Sequence, residues 1–442
     1  MKRNILIMTT DVKKINSTDT LATRIQPTIL TVIPNVLCQH ADSAAALALD
    51  RFYALQSSDY NIEDLKYLES RLEANIDGLI ISGEEGWSHY EKHLEAGDYS
   101  EVFVISVLAI KLHDNKLFQL AFEMSGDDEA LLNAIADAFV WLPYNEVSSY
   151  LDVLYKIKKP EKQFVALAAS AGHRQIVESH LRDALQSSHA RLLSRAILAV
   201  AELGKKSLAP MIKPFMQLDD ENIKFSACWA LARFGNVAAL ELLKQYLRHP
   251  LRGEQALQLV VLQKDTNNTI ELLRTLYKTE ETRRLSIYGM GLLGNPKSIE
   301  SLIKVMENEA LARVAGGAFS FITGVDIAYE DLDQDAPENF EGGPTDKPED
   351  ENIDMDPDED LPWPNPVLIA KWWKENRGAY QDNKKYILGK EVSLMQYKTV
   401  LMKGTQKQRA FAAVAIAVHQ QNQPIFNVCL PARRQKYLLG IS

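Results

Sequence analysis

The chain has 442 residues, 46% of them hydrophobic and 24% charged, as expected for several globular domains or one long repeat array. Its formal net charge of -10 argues against a general nucleic-acid coat protein. Three cysteines, Cys38, Cys228 and Cys429, lie far apart and are odd in number. They argue against a disulfide framework and against a cysteine-based zinc site, and they favour a reducing compartment.

Membrane and export signals are weak in this sequence. No apolar run reaches the length of about 18 residues that a membrane-spanning helix needs. The first residues have a basic flank but only a short apolar run, which makes a poor secretory signal. We therefore expect a soluble, cytoplasmic protein without a membrane partner.

The first part of the chain changes character near Pro34. Residues 1–33 contain several threonines and little periodicity, so we expect an irregular lead-in. Residues 34–98 are amphipathic and predict an N-terminal helical cap, since the end of a repeat array needs a polar outer face. One apolar stripe at helical spacing runs through this cap: Leu65, Leu68, Leu72, Ile76, Leu79 and Ile80.

A repeat of about thirty residues dominates residues 99–326. Its clearest unit, Asp219–Leu247, predicts a helix, a Gly-Asn break and a second helix. Equivalent breaks recur every 29 to 32 residues: His113, Pro143, Gly172, Gly204, Gly235, Lys264, Gly294 and Gly324. Glycine suits such breaks because it adopts the left-handed conformation that ends a helix. The period predicts an all-α fold, an α-solenoid of stacked helical hairpins.

The repeat units resemble short HEAT-like repeats. An acidic and a basic residue, such as Asp220 and Lys224, precede small and apolar residues before the break, and Arg195, Arg284 and Arg313 occupy matching places. Charges of this kind often form a structural ladder between turn and helix. The alternative is that a row of basic side chains lines the inner surface and binds a partner.

Residues 327–361 form an acidic stretch. From Glu330 to Asp360 there are 15 acidic residues and one lysine, whereas Lys371 to Lys436 carry a net charge of +10. Ordering about thirty residues costs tens of kcal/mol at roughly 1–2 kcal/mol each, and few large apolar groups are present to offset it. We expect a mobile loop, with docking on the basic C-terminal region as the alternative. Its Asp-x-Asp-x-Asp runs lack the glycine and glutamate of a calcium loop, so we predict no metal site there.

Residues 362–442 predict a helical C-terminal subdomain. Its prolines hold the chain extended up to Pro366, which suits the first turn of a helix that carries Trp372 and Trp373. Two further helices are expected around Gly404, within residues 386–420, followed by β-type residues in the sequence PIFNVCL. The two tryptophans either pack in the core or anchor a partner.

Several motifs along the chain carry a resemblance to a known family. They are HADSAAALALDR, RLEANIDGL, GEEGW, DEDLPWP followed by AKWW, GTQKQRAFAA and PARRQ, and they span Pro34 to Gln435. The chain resembles an uncharacterised bacterial family of HEAT-repeat proteins that is often encoded in type VI secretion gene clusters, near tip-spike and PAAR-type components. The most specific motifs are DEDLPWP and PARRQ, and the long acidic insertion is a departure. The resemblance implies an association with secretion but no catalytic residues.

Catalytic chemistry finds little support in the sequence. Nucleotide-binding, metalloprotease and hydrolase motifs are missing. His89 and His93 have metal-competent spacing, but no third ligand is evident, so surface histidines are the simpler interpretation. We therefore predict that the chain is not an enzyme and uses no cofactor and no metal.

The leading hypothesis is a non-enzymatic scaffold, adaptor or chaperone that holds another protein, by resemblance a secretion tip component or an effector. Candidate partner-binding residues are Arg191, Arg195, Lys224, Trp229, Arg233, Arg283, Arg284, Trp372 and Trp373. One alternative is a nucleic-acid-binding HEAT-like solenoid, which the near-neutral charge of the repeats disfavours. Another is an immunity protein whose acidic segment mimics a polyanion against a toxin. The sequence does not define an oligomeric state.

Overall fold

The computed structural model of the chain describes residues 33–83, 97–338, 340, 343 and 356–441. The predicted lead-in, His89 and His93, most of the GEEGW motif and the centre of the acidic stretch lie outside these residues. Within them the fold is all-α, as predicted, apart from one small hairpin. In that hairpin Tyr386–Ile387 (β1) pairs antiparallel with Lys390–Glu391 (β2).

Helical hairpins account for most of the described residues up to 323. In chain order the helices are α1 (Pro34–Ala54), α2 (Ile62–Ile81), α3 (Tyr99–Lys111), α4 (Asn115–Ser125), α5 (Glu129–Trp141), α6 (Tyr144–Lys156), α7 (Pro160–Gly172), α8 (Glu178–Ala184), α9 (Ala190–Glu202), α10 (Ala209–Ile212), α11 (Glu221–Arg233), α12 (Val237–Leu243), α13 (Gly253–Gln263), α14 (Thr266–Tyr277), α15 (Glu280–Leu293), α16 (Ile299–Val305) and α17 (Glu309–Thr323). Short 3₁₀ turns extend several of the second helices: Lys206–Leu208, Lys213–Gln217, Lys244–Arg248 and Pro296–Ser298.

The odd-numbered helices stack as one layer. From α1 to α17, each of them packs on the next odd-numbered helix, while the even-numbered helices pack beside them as a second layer. Neither layer buries its apolar face without its neighbours, which is the packing of a solenoid. The core is continuous along the array, with residues such as Phe103, Phe139 and Ile197 fully buried.

Breaks in the helical pattern fall where the sequence predicts them, directly after each odd-numbered helix from α3 to α17. Gly204, Gly235, Gly294 and Gly324 have φ angles of 67°, 86°, 69° and 75°, in the left-handed region. His113 adopts the same conformation with φ 52° although it is not glycine. The repeat period in the sequence therefore corresponds to the length of one helical hairpin, because each hairpin contributes one such break.

The chain after residue 361 runs back along the solenoid. Its helices are α18 (Pro366–Asn376), α19 (Leu394–Lys403), α20 (Gln406–His419) and α21 (Ala432–Leu439), with a 3₁₀ turn at Arg377–Ala379. Helix α18 packs on α16, β1 on α17, α20 on α13, and α21 on α2. The C-terminal subdomain thus extends from the last repeat to the N-terminal cap.

One local prediction in this subdomain was wrong. Residues 386–391 form the β-hairpin and not the start of a helix, because the Tyr386 and Leu388 amides donate to Gly294 and Phe321 carbonyls of the solenoid. The β-type stretch PIFNVCL forms no strand, because its backbone polar groups bond instead to side chains and carbonyls of the repeats. Among the described helices, none is both long enough and apolar enough to cross a bilayer.

Candidate binding site between the two ends of the solenoid

Two of the predicted partner-binding arginines meet other parts of the same chain. Arg233 is fully buried, and its guanidinium donates to the main-chain oxygens of Gln421 and Gln423. Arg284 forms an ion pair with the buried carboxylate of Asp358, at the end of the acidic stretch. In this conformation both side chains join the repeats to segments near the C-terminal end of the chain.

The other predicted basic residues have partners close to them in the repeats. Arg191 pairs with Asp127 at 2.8 Å, and Arg195 pairs with Glu202 at 2.8 Å. A weaker contact of 3.5 Å joins Lys224 to Glu221. Arg283 donates to the Tyr277 carbonyl at 3.1 Å and lies over the ring of that residue. Each of these side chains therefore has a partner within the repeats, and their role in partner binding stays a prediction.

The predicted tryptophans pack against other side chains to different degrees. Trp373 is 4% exposed and lies 5.1 Å from the ring of Tyr380. Trp372 is half-buried, with its ring edge-on to Phe319 at 5.6 Å. Trp229 is half-buried against the main core. Of the three, Trp372 and Trp229 keep a part of the side chain that a partner can reach.

The end of the acidic stretch lies against helix α17. Arg313 of this helix pairs with Asp356 at 2.5 Å, donates to the Asp358 carbonyl at 3.0 Å and stacks over Trp363. The segment packs closely on helix α17 at Gly316, because this residue has no side chain. A Cβ atom there would lie only 3.2 Å from the Pro364 ring. The DEDLPWP motif is thus a docking segment, although the basic side chains that hold it belong to the repeats and not to the C-terminal region.

The same segment touches the N-terminal cap and closes the array. The Ser57 hydroxyl, in the loop between α1 and α2, donates to Asp360 at 2.6 Å. The start of α20 reaches this loop too, because the Gln406 amide donates to the Tyr60 carbonyl at 2.8 Å and the Lys407 amide to Ser57 at 3.2 Å. The first and last units of the solenoid are therefore bridged.

A cavity of about 730 Å³ lies at this closure. We call it the closure cavity. Its wall combines the α1–α2 loop, helices α15 and α17, the DEDLPWP segment and the start of α20. Apolar groups of Leu285, Leu292, Phe321 and Leu361 contribute to its lining. The charged side chains of the lining other than the Arg284–Asp358 pair are Asp59, Asp64, Arg248, Glu254, Glu281, Asp326, Asp360, Lys403 and Lys407.

Carboxylates predominate among the charged side chains of the cavity, and the pKa of Asp59 is raised as a result. Partial burial raises the pKa of Asp59, and the negative charges of Asp360, Asp64 and Asp326 raise it further. Asp326 and Asp360 are far along the chain from Asp59 and Asp64, so only folding brings the four carboxylates together. Among the described residues no group of His, Cys, Asp and Glu has the geometry to hold a metal ion.

Replacing Asp59 by asparagine is expected to stabilise the fold at neutral pH. Because the folded-state pKa of Asp59 lies above its ordinary value of 3.8, folding favours the protonated form, and this contribution is lost as the pH rises through the raised pKa. The Asp59→Asn protein lacks that loss. Urea unfolding of both proteins measures the difference in their free energies of unfolding. The measurements cover about pH 4 to pH 7, the range in which the carboxyl group ionises. A variant that is less stable than the wild type at pH 7 would contradict the assignment.

Comparison with known families gives one match. Residues 178–258, from α8 into α13, match the family of HEAT repeats. This part of the chain is similar to HEAT repeats. HEAT repeats fit a protein-interaction scaffold in general, and the stacked hairpins on either side of the matched segment continue the same architecture. Comparisons with curated proteins and with solved structures found no match.

The closure cavity was not predicted from the sequence. Asp59, Glu281 and Asp326 belong to no motif, and Asp360 stood out only as one acid among fifteen. These residues come together because the C-terminal subdomain packs against the cap. The thirty-residue period gives no information about that contact. The DEDLPWP and GTQKQRAFAA motifs were the available signal, since both contribute to the cavity wall.

Proposed function

We propose that this α-solenoid protein is a non-enzymatic scaffold or adaptor, and that its partner inserts part of its surface into the closure cavity. The observation that carries the proposal is the cavity itself. Its volume of about 730 Å³ lies within the range of roughly 300–1,000 Å³ that is usual for small-molecule pockets, so it has room for a few side chains of a partner. It combines apolar lining groups with charged ones, the mixture that gives both affinity and orientation.

The charge of the lining indicates the kind of partner. Apart from the Arg284–Asp358 pair, six carboxylates face three basic side chains, so the cavity favours a basic segment with an apolar tip. The resemblance of the motifs to a family encoded with type VI secretion genes makes a secretion tip component or an effector the first candidate. The Arg191, Arg195 and Arg284 ion pairs argue against nucleic acid, because their charges are already matched.

A pull-down with charge-reversed variants tests this proposal. The bait is the full chain, and the probes are purified tip-spike, PAAR-type and effector proteins encoded beside its gene. We expect the wild type to retain one of them and the double variant Glu281→Lys, Asp326→Lys to lose it, because both exposed carboxylates line the cavity. Glu300→Lys, an exposed reversal on α16 away from the cavity, is the matched control and should retain the partner.

Two outcomes of the pull-down would contradict the proposal. If the double variant retains the partner as well as the wild type does, the partner does not use the cavity. If the wild type retains none of the probes, the association with secretion is wrong.

Immunity to a toxin remains a second candidate, because an acidic segment of net charge -14 can mimic a polyanion. The structure improves the test of this function. Deleting residues 344–355 shortens the acidic segment but keeps Asp356, Asp358 and Asp360, which hold the solenoid and the cap. If the segment is the inhibitor, the shortened protein should bind a cognate toxin at least about tenfold more weakly at low ionic strength. Unchanged affinity would leave the segment as a spacer.

A further inference from the structure

The segment between α20 and α21 lies across the breaks of three repeats. We call residues 420–430 the latch. A Cβ on Gly204 would come within 2.6 Å of the Gln423 carbonyl oxygen, and one on Gly235 within 2.9 Å of the Gln421 side chain. The repeats therefore leave room for a polypeptide at these breaks, and the latch fills that room in tight contact.

Arginines of the solenoid hold the latch through its main chain. Arg233 donates to the carbonyls of residues 421 and 423, Arg174 to that of Ile425 at 2.8 Å, and Arg51 to that of Cys429 at 2.8 Å. In return the Ile425 amide donates to the Glu202 carbonyl at 2.8 Å. Carbonyl groups are common to every peptide, so these contacts select the path of the backbone, with its turns at residues 421–423 and 428–430, and not a particular sequence.

Three apolar side chains of the latch supply the selective part of the contact. Leu430 is 4% exposed, Ile425 and Val428 are each 7% exposed, and all three pack in the main core cluster. Between Ile425 and Val428 lies the polar anchor, Asn427. Its side chain donates to the Gly172 carbonyl at 2.9 Å and accepts from the Cys429 amide at 3.0 Å. A competing segment needs apolar residues at this spacing of three.

The closed latch also carries an unfavourable charge. Among the described residues Arg233 has no carboxylate within ion-pair distance, and its Nε makes no hydrogen bond, although the side chain is fully buried. Burying a guanidinium without an opposite charge is unfavourable, and opening the latch returns this group to water. The latch is thus held less tightly than its buried apolar surface would suggest, which suits a segment that exchanges.

We propose that Arg51, Arg174 and Arg233 line a groove for a peptide segment that follows the backbone path of the latch. The latch occupies this groove in the closed chain, and a partner segment with apolar residues at the spacing of Ile425 and Val428 displaces it. This groove is separate from the closure cavity and goes beyond the proposed function.

A synthetic peptide of residues 419–431 is the probe, added in trans to the full-length protein and followed by fluorescence anisotropy. The apparent affinity of the peptide is reduced by the fraction of chains in which the latch is closed. In the chain with Asn427→Ala the latch loses two hydrogen bonds, so the peptide should bind about tenfold more tightly than to the wild type. Saturating peptide should also speed hydrogen exchange of the Ile425 amide.

Matched controls separate this groove from unspecific binding. A peptide with I425D and V428D should not bind. In the chain without peptide, Arg174→Gln or, if that chain does not fold, Arg233→Gln should speed hydrogen exchange of the Ile425 amide about tenfold, because the latch loses a contact that holds it closed. The proposal is overturned if the peptide does not bind the Asn427→Ala chain, if the aspartate peptide binds equally well, or if the arginine substitutions have no effect.

Discussion

Replacing Trp373 by alanine is expected to lower the free energy of unfolding by about 3–5 kcal/mol, as measured by urea denaturation. The side chain is 4% exposed, packs on Tyr380 and lies under the guanidinium of Arg377 at 5.3 Å. It belongs to the second core cluster, where α18 covers the last repeat. Its truncation leaves a cavity at the contact that fixes the start of the C-terminal subdomain.

The neighbouring tryptophan is the control for this prediction. Trp372→Ala should be less destabilising, because Trp372 is only half-buried against Phe319. Trp373→Phe should cost less than Trp373→Ala, since it keeps an aromatic ring in the core and the buried indole Nε1 of Trp373 has no hydrogen-bond partner among the described residues. Equal losses for the two alanine variants would contradict the packing of α18.

Replacing Glu69 by alanine should destabilise the protein by about 3–5 kcal/mol, because it leaves the buried charge of Arg51 without its partner. Arg51 Nε donates to Glu69 at 2.8 Å, and both side chains are at most 7% exposed. The second oxygen of Glu69 accepts from the amide of Ala432 at 2.6 Å, at the start of α21. One carboxylate thus joins the two cap helices to the C-terminal subdomain.

An exposed pair at the same contact provides the comparison. Glu73 on α2 pairs with Arg433 on α21 at 3.0 Å, with side-chain exposures of 49% and 65%. Glu73→Ala should therefore change the unfolding free energy by no more than about 1 kcal/mol in the same denaturation experiment. If the two glutamate variants are equally stable, Glu69 is not a buried link between the cap and the C-terminal subdomain.

The repeats were predictable because their geometry is local. A helix that ends in a left-handed residue favours glycine at that position, as at Gly204, Gly235, Gly294 and Gly324. Because the hairpins have nearly the same length, such a residue recurs at a nearly fixed interval. Apolar periodicity likewise determined which faces stack. The all-α solenoid followed from these two signals without any long-range information.

The closure was not predictable because its contacts join distant residues. In the sequence Arg233 is indistinguishable from the other basic residues of the repeat helices. Its hydrogen-bond acceptors, the carbonyl oxygens of Gln421 and Gln423, lie nearly two hundred residues later in the chain. Arg434 of the PARRQ motif donates to the Leu142 carbonyl at 2.8 Å, and Gln406 of GTQKQRAFAA meets the cap loop. The DEDLPWP, GTQKQRAFAA and PARRQ motifs thus contact parts of the chain that are distant in sequence.

Zero-length carbodiimide crosslinking between Lys436 and Glu63 tests the closure of the solenoid most directly. The Lys436 ammonium lies 2.5 Å from a Glu63 carboxylate oxygen, although the two residues are 373 positions apart. In the monomeric chain we expect an amide between these side chains, detected by mass spectrometry and lost in Lys436→Arg, which keeps the charge but forms no such amide. A C-terminal helix that crosslinks elsewhere, or only between molecules, would show that the subdomain does not return to the cap.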